Sequence, residues 1–176
     1  MYSSDLCWPL LYGIADSLAP ALGYNWGAKN YDRVKRIAKC AYIGTAVVGL
    51  VSTSFLFFFP GTIASWFASG TESRLLEIST HAIRIFSFAY IFRWFGITTQ
   101  SYFSAIGKPL QATIISVCTA FVFPVVLLGA LWNLQLDGIW LNFVGVTALA
   151  AILSAVLLIR LISENKSILT HLSVDR

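Results

Sequence analysis

Two charged side chains, Asp16 and Arg93, lie near the middle of apolar stretches that are long enough to cross a lipid bilayer. An ionised group at that depth costs about 3 kcal/mol on insertion scales, so it needs a partner or, for a carboxylate, a proton. The position of Asp16 therefore has three interpretations. Asp16 has a role in a substrate or proton pathway, or it forms a structural ion pair, or the apolar segment ends closer to Asp16 than we assign it. Because each charge alone would be costly, we expect Asp16 and Arg93 to approach each other or to share one cavity.

Further polar residues accompany Arg93 in its apolar stretch. Gln100 follows Arg93 by two helical turns on nearly the same face, so we include it in the predicted substrate or ion pathway. His81 and Arg84 lie closer to the beginning of the stretch, from which the long Arg84 side chain could extend to the lipid headgroups. We expect both of these residues to be interfacial.

The apolar stretch around Asp16 carries prolines and glycines at helical spacing. Six residues follow one another in steps of three and four and so share one helix face: Pro9, Gly13, Asp16, Pro20, Gly23 and Gly27. Small residues allow a neighbouring helix to approach closely, whereas prolines at membrane depth are tolerated where protein or a wet cavity satisfies the freed backbone groups. The face is therefore either a packing surface or the wall of a translocation cavity in a bent helix.

Other binding and catalytic chemistry has little support in the sequence. Aromatic residues make up 15% of the chain and could line a cavity for flat organic cations, but most of them fit lipid-facing or interfacial positions equally well. Cys7, Cys40 and Cys118 lie far apart in apolar stretches, without metal-ligand spacing. We predict no enzymatic activity, no metal site and no bound cofactor.

Composition indicates the kind of fold that must position these residues. The 176-residue chain is 57% hydrophobic and 11% charged, and its mean hydropathy is +0.75. Soluble domains contain about 25% charged residues, so this chain has too few solvated side chains to fold in water at its length. Its net charge of +4 does not indicate nucleic-acid binding, because the basic residues sit at the ends of apolar runs. The lipid bilayer is the expected partner.

Five segments have the roughly 20 apolar residues that are needed to cross the hydrocarbon layer, namely 6–28, 37–59, 81–102, 112–134 and 138–162. We predict an all-α fold, a polytopic membrane helix bundle over residues 1–162 that forms one unit, with a cytoplasmic tail at 163–176. Only residues 60–80 leave room for a further helix, which Trp66 and Phe67 would anchor at the headgroups.

Lysine and arginine are concentrated on alternate connections between these segments. Five of them lie between the first two segments, whereas the next connection holds one. Because cytoplasmic connections are enriched in these residues, the pattern predicts an amino terminus outside and a carboxyl terminus in the cytoplasm. No basic region of a signal peptide precedes the first apolar run. We therefore expect an upstream span to be missing and the chain to be partial.

Three motifs resemble one family of transporters. Pro20 with the stretch Gly23–Lys35 resembles the end of the eighth helix of MATE (multidrug and toxic compound extrusion) transporters of the DinF/MepA-like bacterial branch. Tyr102–Pro109 is similar to the end of their tenth helix, and Leu136–Trp140 is similar to the start of their twelfth. The order and spacing of the three motifs extend the resemblance over essentially the whole chain.

The resemblance implies a fold and an activity. The twelve spans of the family fold form two six-helix lobes. This chain would supply the eighth to twelfth spans, which are most of the carboxyl-terminal lobe. A protein of this family in the bacterial inner membrane would export drugs or other small organic, possibly cationic, compounds in exchange for Na⁺ or H⁺. The resemblance marks Pro20, Gly23, Tyr24, Asn25 and Gly27 as a helix break and family motif.

The sequence departs from the family in two places, and other functions stay open. Ala19 stands where many relatives have glutamine, and Val117–Thr119 lies where relatives often carry an arginine. With the amino-terminal lobe missing, we expect the chain alone to be inactive, because alternating access needs two bundles around one site. The alternatives are a lipid-linked sugar flippase of the same superfamily and a non-transporting membrane subunit or remnant. The Tyr24–Lys29 motif favours the antiporter.

Overall fold

The chain is a bundle of α-helices in the computed structural model. The structure describes the backbone of residues 4–67, 73–132 and 135–174. It describes the side chains of residue 9 and of residues 11–65, 77–132 and 138–163. The helices, in chain order, are α1 Ser4–Gly27, α2 Tyr31–Phe58, α3 Pro60–Phe67, α4 Ser73–Ala105, α5 Pro109–Val117, α6 Phe123–Ala130 and α7 Gln135–Val174, and a π-helical segment, Cys118–Val122, joins α5 to α6. The predicted all-α fold is confirmed: no strand occurs within those ranges.

Three stretches are long and apolar enough to cross a membrane on length and composition alone: Tyr31–Phe58, Pro109–Ala130 and Gly138–Ser163. In the described chain α1 and α4 do not meet that criterion, and these two helices carry Asp16 and Arg93. α4 occupies the centre of the bundle, where it packs against α1, α2, α3, α5 and α7. α4, with Arg93, is thus surrounded by other helices, whereas α1, with Asp16, packs only against α2 and α4 among the described helices.

The helices extend beyond some of the predicted segments. α4 begins at Ser73 rather than at residue 81, and α7 continues through the predicted tail to Val174. No glycine or proline interrupts α7 after Gly145, so the helix continues where the apolar run stops. The extra helix anticipated between 60 and 80 is α3, although the side chains of Trp66 and Phe67 lie outside the described set.

α2 shows how one helix separates the bundle interior from the lipid. Its buried positions, Val34, Ala41, Thr45, Gly49, Ser52 and Leu56, recur at helical spacing on one face. The opposite face exposes large apolar side chains, among them Val51 at 63% and Phe58 at 73%. Such an inversion, with small and polar residues inside and large aliphatic ones outside, is expected when the solvent is a bilayer.

Close packing and hydroxyl pairs join α2 to α4. A Cβ atom placed on Gly49 would lie 2.9 Å from Cδ1 of Trp94, so only glycine fits at this crossing. On the next turns, the Thr45 and Thr98 hydroxyls form a 2.8 Å hydrogen bond. Tyr42 and Thr99 form a second hydroxyl pair, also at 2.8 Å. Small residues and interhelical hydrogen bonds are the usual means of helix association inside membranes.

Two helix exits have the same backbone pattern. After α1, the Lys29 amide donates to the Trp26 carbonyl and the Asn30 amide to the Asn25 carbonyl. After α4, Gly107 and Lys108 donate in the same way to Ser104 and Phe103. Both are Schellman motifs, whose left-handed residue is usually glycine. That residue is Gly107 (φ 73°) in the second motif but Lys29 (φ 57°) in the first.

Candidate functional site

An open cavity of about 310 Å³ lies between α1, α4 and α5. Its lining consists of one carboxylate, one amide, four hydroxyl-bearing residues and three small or aliphatic ones: Asp16, Gln100, Ser101, Ser104, Thr113, Ser116, Ala19, Ala112 and Val117. The lining therefore combines polar and apolar surface, and among the described residues it carries one formal charge, on Asp16. Asp16 and Gln100, which were predicted as pathway residues, meet in this cavity.

Asp16 is held by a residue of α4. The Ser101 hydroxyl donates a 3.0 Å hydrogen bond to Oδ1 of Asp16. Pro20 adds a second effect, because it has no N–H and so removes the α-helical partner of the Asp16 main-chain carbonyl. Asp16 and Ser101 thus both contribute oxygen-bearing side chains to the lining of the cavity.

Arg93 lies outside the lining of this cavity, so the cavity does not bring Arg93 and Asp16 together. Arg93 is absent from the residues that line the cavity, and it precedes Ser101 on α4 by about 12 Å along the helix axis. Its guanidinium stands 5.4 Å from the centre of the Phe143 ring on α7 and donates a hydrogen bond to the Tyr12 hydroxyl on α1. An aromatic ring and a hydroxyl, rather than the Asp16 carboxylate, thus interact with this cation.

The proline and glycine face of α1 is open. Pro9, Gly13, Asp16, Pro20 and Gly27 are all exposed, while the opposite face buries its side chains in the bundle. Nothing in the described chain lies within 4 Å of a Cβ built on Gly13 or Gly27. Only Gly23 packs closely, since a Cβ there would lie 3.4 Å from the Ala105 carbonyl oxygen. Within the described chain, Gly23 is therefore the glycine of this face that packs closely against another helix.

The remaining motif residues build the exit from α1. Asn25 is buried, and its amide donates a 2.8 Å hydrogen bond to the Ala21 carbonyl. Tyr24 is 78% exposed. α1 runs as one helix through Pro20 and ends at Gly27, so the motif marks the end of the helix, and a bend at Pro20 stays a prediction. Exposure of Pro20 allows its ring to project outward without meeting a neighbouring helix.

His81 and Arg84 occupy the first part of α4, away from the cavity. The His81 ring lies 5.6 Å from that of Trp140, and the Arg84 guanidinium lies 5.9 Å from the centre of the Phe57 ring. Their interfacial location stays a prediction. The described residues that line the cavity include no aromatic side chain, so the anticipated aromatic-lined pocket is not this one.

Four hydroxyl-bearing residues of the site were not singled out from the sequence: Ser101, Ser104, Thr113 and Ser116. A usable signal exists, since each pair is spaced by three residues, which places both hydroxyls on one side of their helix. Within the described residues, no group of three or more histidine, cysteine or acidic side chains is arranged to hold a metal ion.

A helix bundle with several helices long and apolar enough to cross a bilayer defines a multi-pass membrane protein. The sequence profile of the MatE family matches residues 5–128. The chain belongs to the MatE family. Members of this family are transporters rather than enzymes, as the sequence analysis predicts.

Solved structures of similar fold agree with this assignment. The chain is similar to an inward-facing multidrug resistance MATE family transporter of the MOP superfamily, with a TM-score of 0.84, 20% identity and 94% of this chain covered. It is also similar to a MOP superfamily transporter from Pyrococcus furiosus, described as having a binding pocket of reverse polarity, with a TM-score of 0.78, 20% identity and 86% covered. An outward-facing MATE family transporter gives a TM-score of 0.77, 20% identity and 87% covered.

The chain corresponds to part of those proteins. It spans 39% of the inward-facing transporter, 34% of the Pyrococcus protein and 36% of the outward-facing transporter. No sequence among the curated proteins matches the chain.

Proposed function

We propose that this chain forms most of one lobe of a cation-coupled exporter of drugs or other organic metabolites, with Na⁺ or H⁺ as the coupling ion. The observation that carries the proposal is the single carboxylate, Asp16, in an oxygen-lined cavity between three helices. Membership of a transporter family supports export in general. The choice of Asp16 as the coupling residue, with Gln100 beside it, rests on the cavity.

A single carboxylate in this position accounts for exchange. Its negative charge is costly in an apolar surrounding unless a proton, a metal cation or an organic cation neutralises it. Asp16 is the one charged residue among the described residues that line the cavity, so coupling ion and cationic substrate compete for Asp16. Binding of one then favours release of the other, which is the requirement for antiport.

The oxygen atoms around Asp16 are suited to small cations. Carboxylate, carbonyl and hydroxyl oxygens are the ligands that hard cations take in proteins. Asp16 supplies a carboxylate, and Ser101 supplies a hydroxyl that also orients this carboxylate. Gln100 and Thr113 add further oxygen atoms to the same cavity.

The open face of α1 is the surface on which the other lobe would lie. Transporters of this architecture carry their substrate sites between two bundles that rock against each other. Pro9, Gly13 and Pro20 are exposed beside Asp16, so a second bundle placed there would close the cavity. In this arrangement the carboxyl terminus is cytoplasmic, the membrane is the bacterial inner membrane, and this chain alone does not transport.

Binding of a fluorescent organic cation tests the role of Asp16. The purified chain in a neutral detergent is titrated with ethidium, and the Asp16→Asn variant should bind at least about tenfold more weakly, which corresponds to 1.4 kcal/mol. Arg84→Gln is the control, because Arg84 lies against Phe57 and outside the cavity. Equal ethidium affinities for the wild-type chain and Asp16→Asn would contradict the proposal.

A lipid-linked sugar flippase is a second candidate, which the cavity lining favours. The four hydroxyl-bearing residues and the amide of Gln100 suit a polyhydroxylated ligand, and the described lining offers no aromatic surface for a flat drug. The two candidates differ in the ethidium titration. Weak ethidium binding that Asp16→Asn leaves unchanged, together with binding of a fluorescent polyprenyl-linked sugar that Gln100→Ala weakens, would favour the flippase.

A further inference from the structure

We propose that the beginning of α2 is a binding site for the headgroup of an anionic phospholipid. Five basic residues are concentrated here, and all are exposed: Lys29, Arg33, Lys35, Arg36 and Lys39. Asp32 is the one acidic residue between them. Clusters of four to eight lysines and arginines next to a membrane helix attract anionic lipids. This proposal does not depend on the role of Asp16.

Three of the basic residues lie directly in line with the lipid-facing surface of α2. Arg33, Arg36 and Lys39 follow one another in steps of three, and the same face continues through Ile43 and Val47. Ile43 and Val47 are 53% and 54% exposed, as expected for side chains that contact acyl chains.

The depth of the basic residues matches that of a lipid phosphate. Arg36 and Ile43 are separated by about 10 Å along the helix axis. A lipid whose chains pack along Ile43 and Val47 therefore has its phosphate beside Arg36 and Lys39. The planar guanidinium of Arg36 can donate two parallel hydrogen bonds to phosphate oxygens, and Lys39 adds a point charge.

Lys29 provides an independent observation. It holds a left-handed backbone conformation, φ 57°, at a position where the equivalent turn after α4 has Gly107. A side chain is disfavoured in this conformation, and an outlier of this kind points to a function for that side chain. Lys29 adds a positive charge to the same end of the bundle as Arg33. Lys29 thus occupies a turn position that usually has glycine, and its positive charge adds to the proposed lipid site.

Orientation of the chain in the membrane does not by itself account for this arrangement. The positive-inside rule counts basic residues in a connection and is indifferent to the helix face on which they lie. Lys35 lies in the same connection but about 100° away from Arg36 around the helix axis. It therefore serves as a basic residue off the lipid-facing surface with which Arg36 can be compared. A free phosphate would not require the adjoining apolar surface of Ile43 and Val47, which favours a lipid as the source of the phosphate.

Thermal unfolding of the purified 176-residue chain in a neutral detergent tests the proposal. Phosphatidylglycerol should raise the melting temperature by several degrees, through preferential binding to the folded state, and the shift should shrink in high salt. Phosphatidylcholine with the same acyl chains, and glycerol 3-phosphate alone, should leave the melting temperature nearly unchanged. An equal shift with phosphatidylcholine, or with glycerol 3-phosphate, would overturn the proposal of an anionic-lipid site.

Paired variants separate the site from general charge. Arg36→Gln/Lys39→Gln should lose most of the phosphatidylglycerol shift, whereas Lys35→Gln/Arg160→Gln, which removes the same charge off the site, should keep it. Because the protein is solubilised, a changed orientation in the bacterial membrane cannot produce this difference. Equal losses in both double variants would contradict the proposal.

Lys29→Gly keeps the proposal testable if the double variants fail to fold. Glycine suits the left-handed turn, so this variant should melt at the same or a higher temperature without lipid, yet show a smaller shift with phosphatidylglycerol. The two effects have opposite signs, which a purely structural role for Lys29 would not produce. A full phosphatidylglycerol shift in Lys29→Gly would exclude Lys29 from the site and remove the independent support for it.

Discussion

The Ser101 hydroxyl on α4 donates a 3.0 Å hydrogen bond to the Asp16 carboxylate on α1. This contact joins the helix with the open proline and glycine face to the central helix of the bundle. It fixes one oxygen of a carboxylate that lines the cavity. The arrangement suggests how a single charge is presented for exchange rather than neutralised in a permanent ion pair.

Removal of the Ser101 hydroxyl should weaken cation binding without abolishing it. Hydrogen bonds to charged groups contribute about 1.5–3 kcal/mol when buried, and Asp16 is exposed, so we expect Ser101→Ala to reduce ethidium affinity by roughly three- to tenfold. Ser17→Ala is the control, because the Ser17 hydroxyl bonds to its own helix at Ile14. Loss of affinity in Ser17→Ala as large as in Ser101→Ala would contradict this role.

Asp16 and Arg93 should behave as independent sites. Asp16 lines the cavity, whereas Arg93 is held by Phe143 and Tyr12. Substitutions that share no partners usually add within about 0.5 kcal/mol. The unfolding free energies of Asp16→Asn, Arg93→Gln and the double variant should therefore be additive. A coupling above about 1 kcal/mol between the two substitutions would show that they interact after all.

Close packing at Gly49 should be sensitive to a single methyl group. Gly49→Ala places a Cβ 2.9 Å from Trp94, and overpacking of this kind costs about 1–3 kcal/mol. Gly44→Ala, one to two turns earlier on α2, meets Ile14 at an ordinary 3.9 Å, so it should be neutral or slightly stabilising. Melting temperatures of the two variants measure the difference, and equal values would refute the close approach of α2 and α4.

The chain should be oriented with its carboxyl terminus in the cytoplasm. Fluorescent protein fused after Arg176 should fluoresce in bacteria, whereas alkaline phosphatase at the same position should be inactive. The physical reason is the concentration of Lys and Arg between α1 and α2, which favours retention of that connection inside. Active phosphatase at the carboxyl terminus would place it on the outer side.

The bundle could be predicted from hydropathy because the bilayer imposes a length and an exposure pattern. α2 illustrates this: its apolar run is uninterrupted, and its buried residues, from Val34 to Leu56, keep one helical face. The extension of α7 to Val174 was missed because helix propagation does not need apolar residues. The π-helical segment Cys118–Val122 was also missed. Apart from Pro124, the sequence there is an ordinary apolar run that does not distinguish a π-helix from an α-helix.

The site was only half predictable, because helical spacing within one segment does not give the register between segments. Spacing placed Asp16 and Pro20 on a common face, and the cost of a buried charge marked Asp16 and Arg93. Which residue of α4 lies beside Asp16 depends on how α1 packs, in particular on Gly23 against Ala105. That register brings Ser101 rather than Arg93 to the carboxylate.

Competition between coupling ion and organic cation is the most direct test of the central claim, that one carboxylate serves both. Ethidium is titrated into the purified chain at a series of Na⁺ concentrations and pH values. If Asp16 binds one cation at a time, the apparent dissociation constant should rise in proportion to the concentration of Na⁺ or H⁺, and Asp16→Asn should abolish that dependence. Ethidium binding that is independent of both ions, or a dependence that persists in Asp16→Asn, would contradict the account.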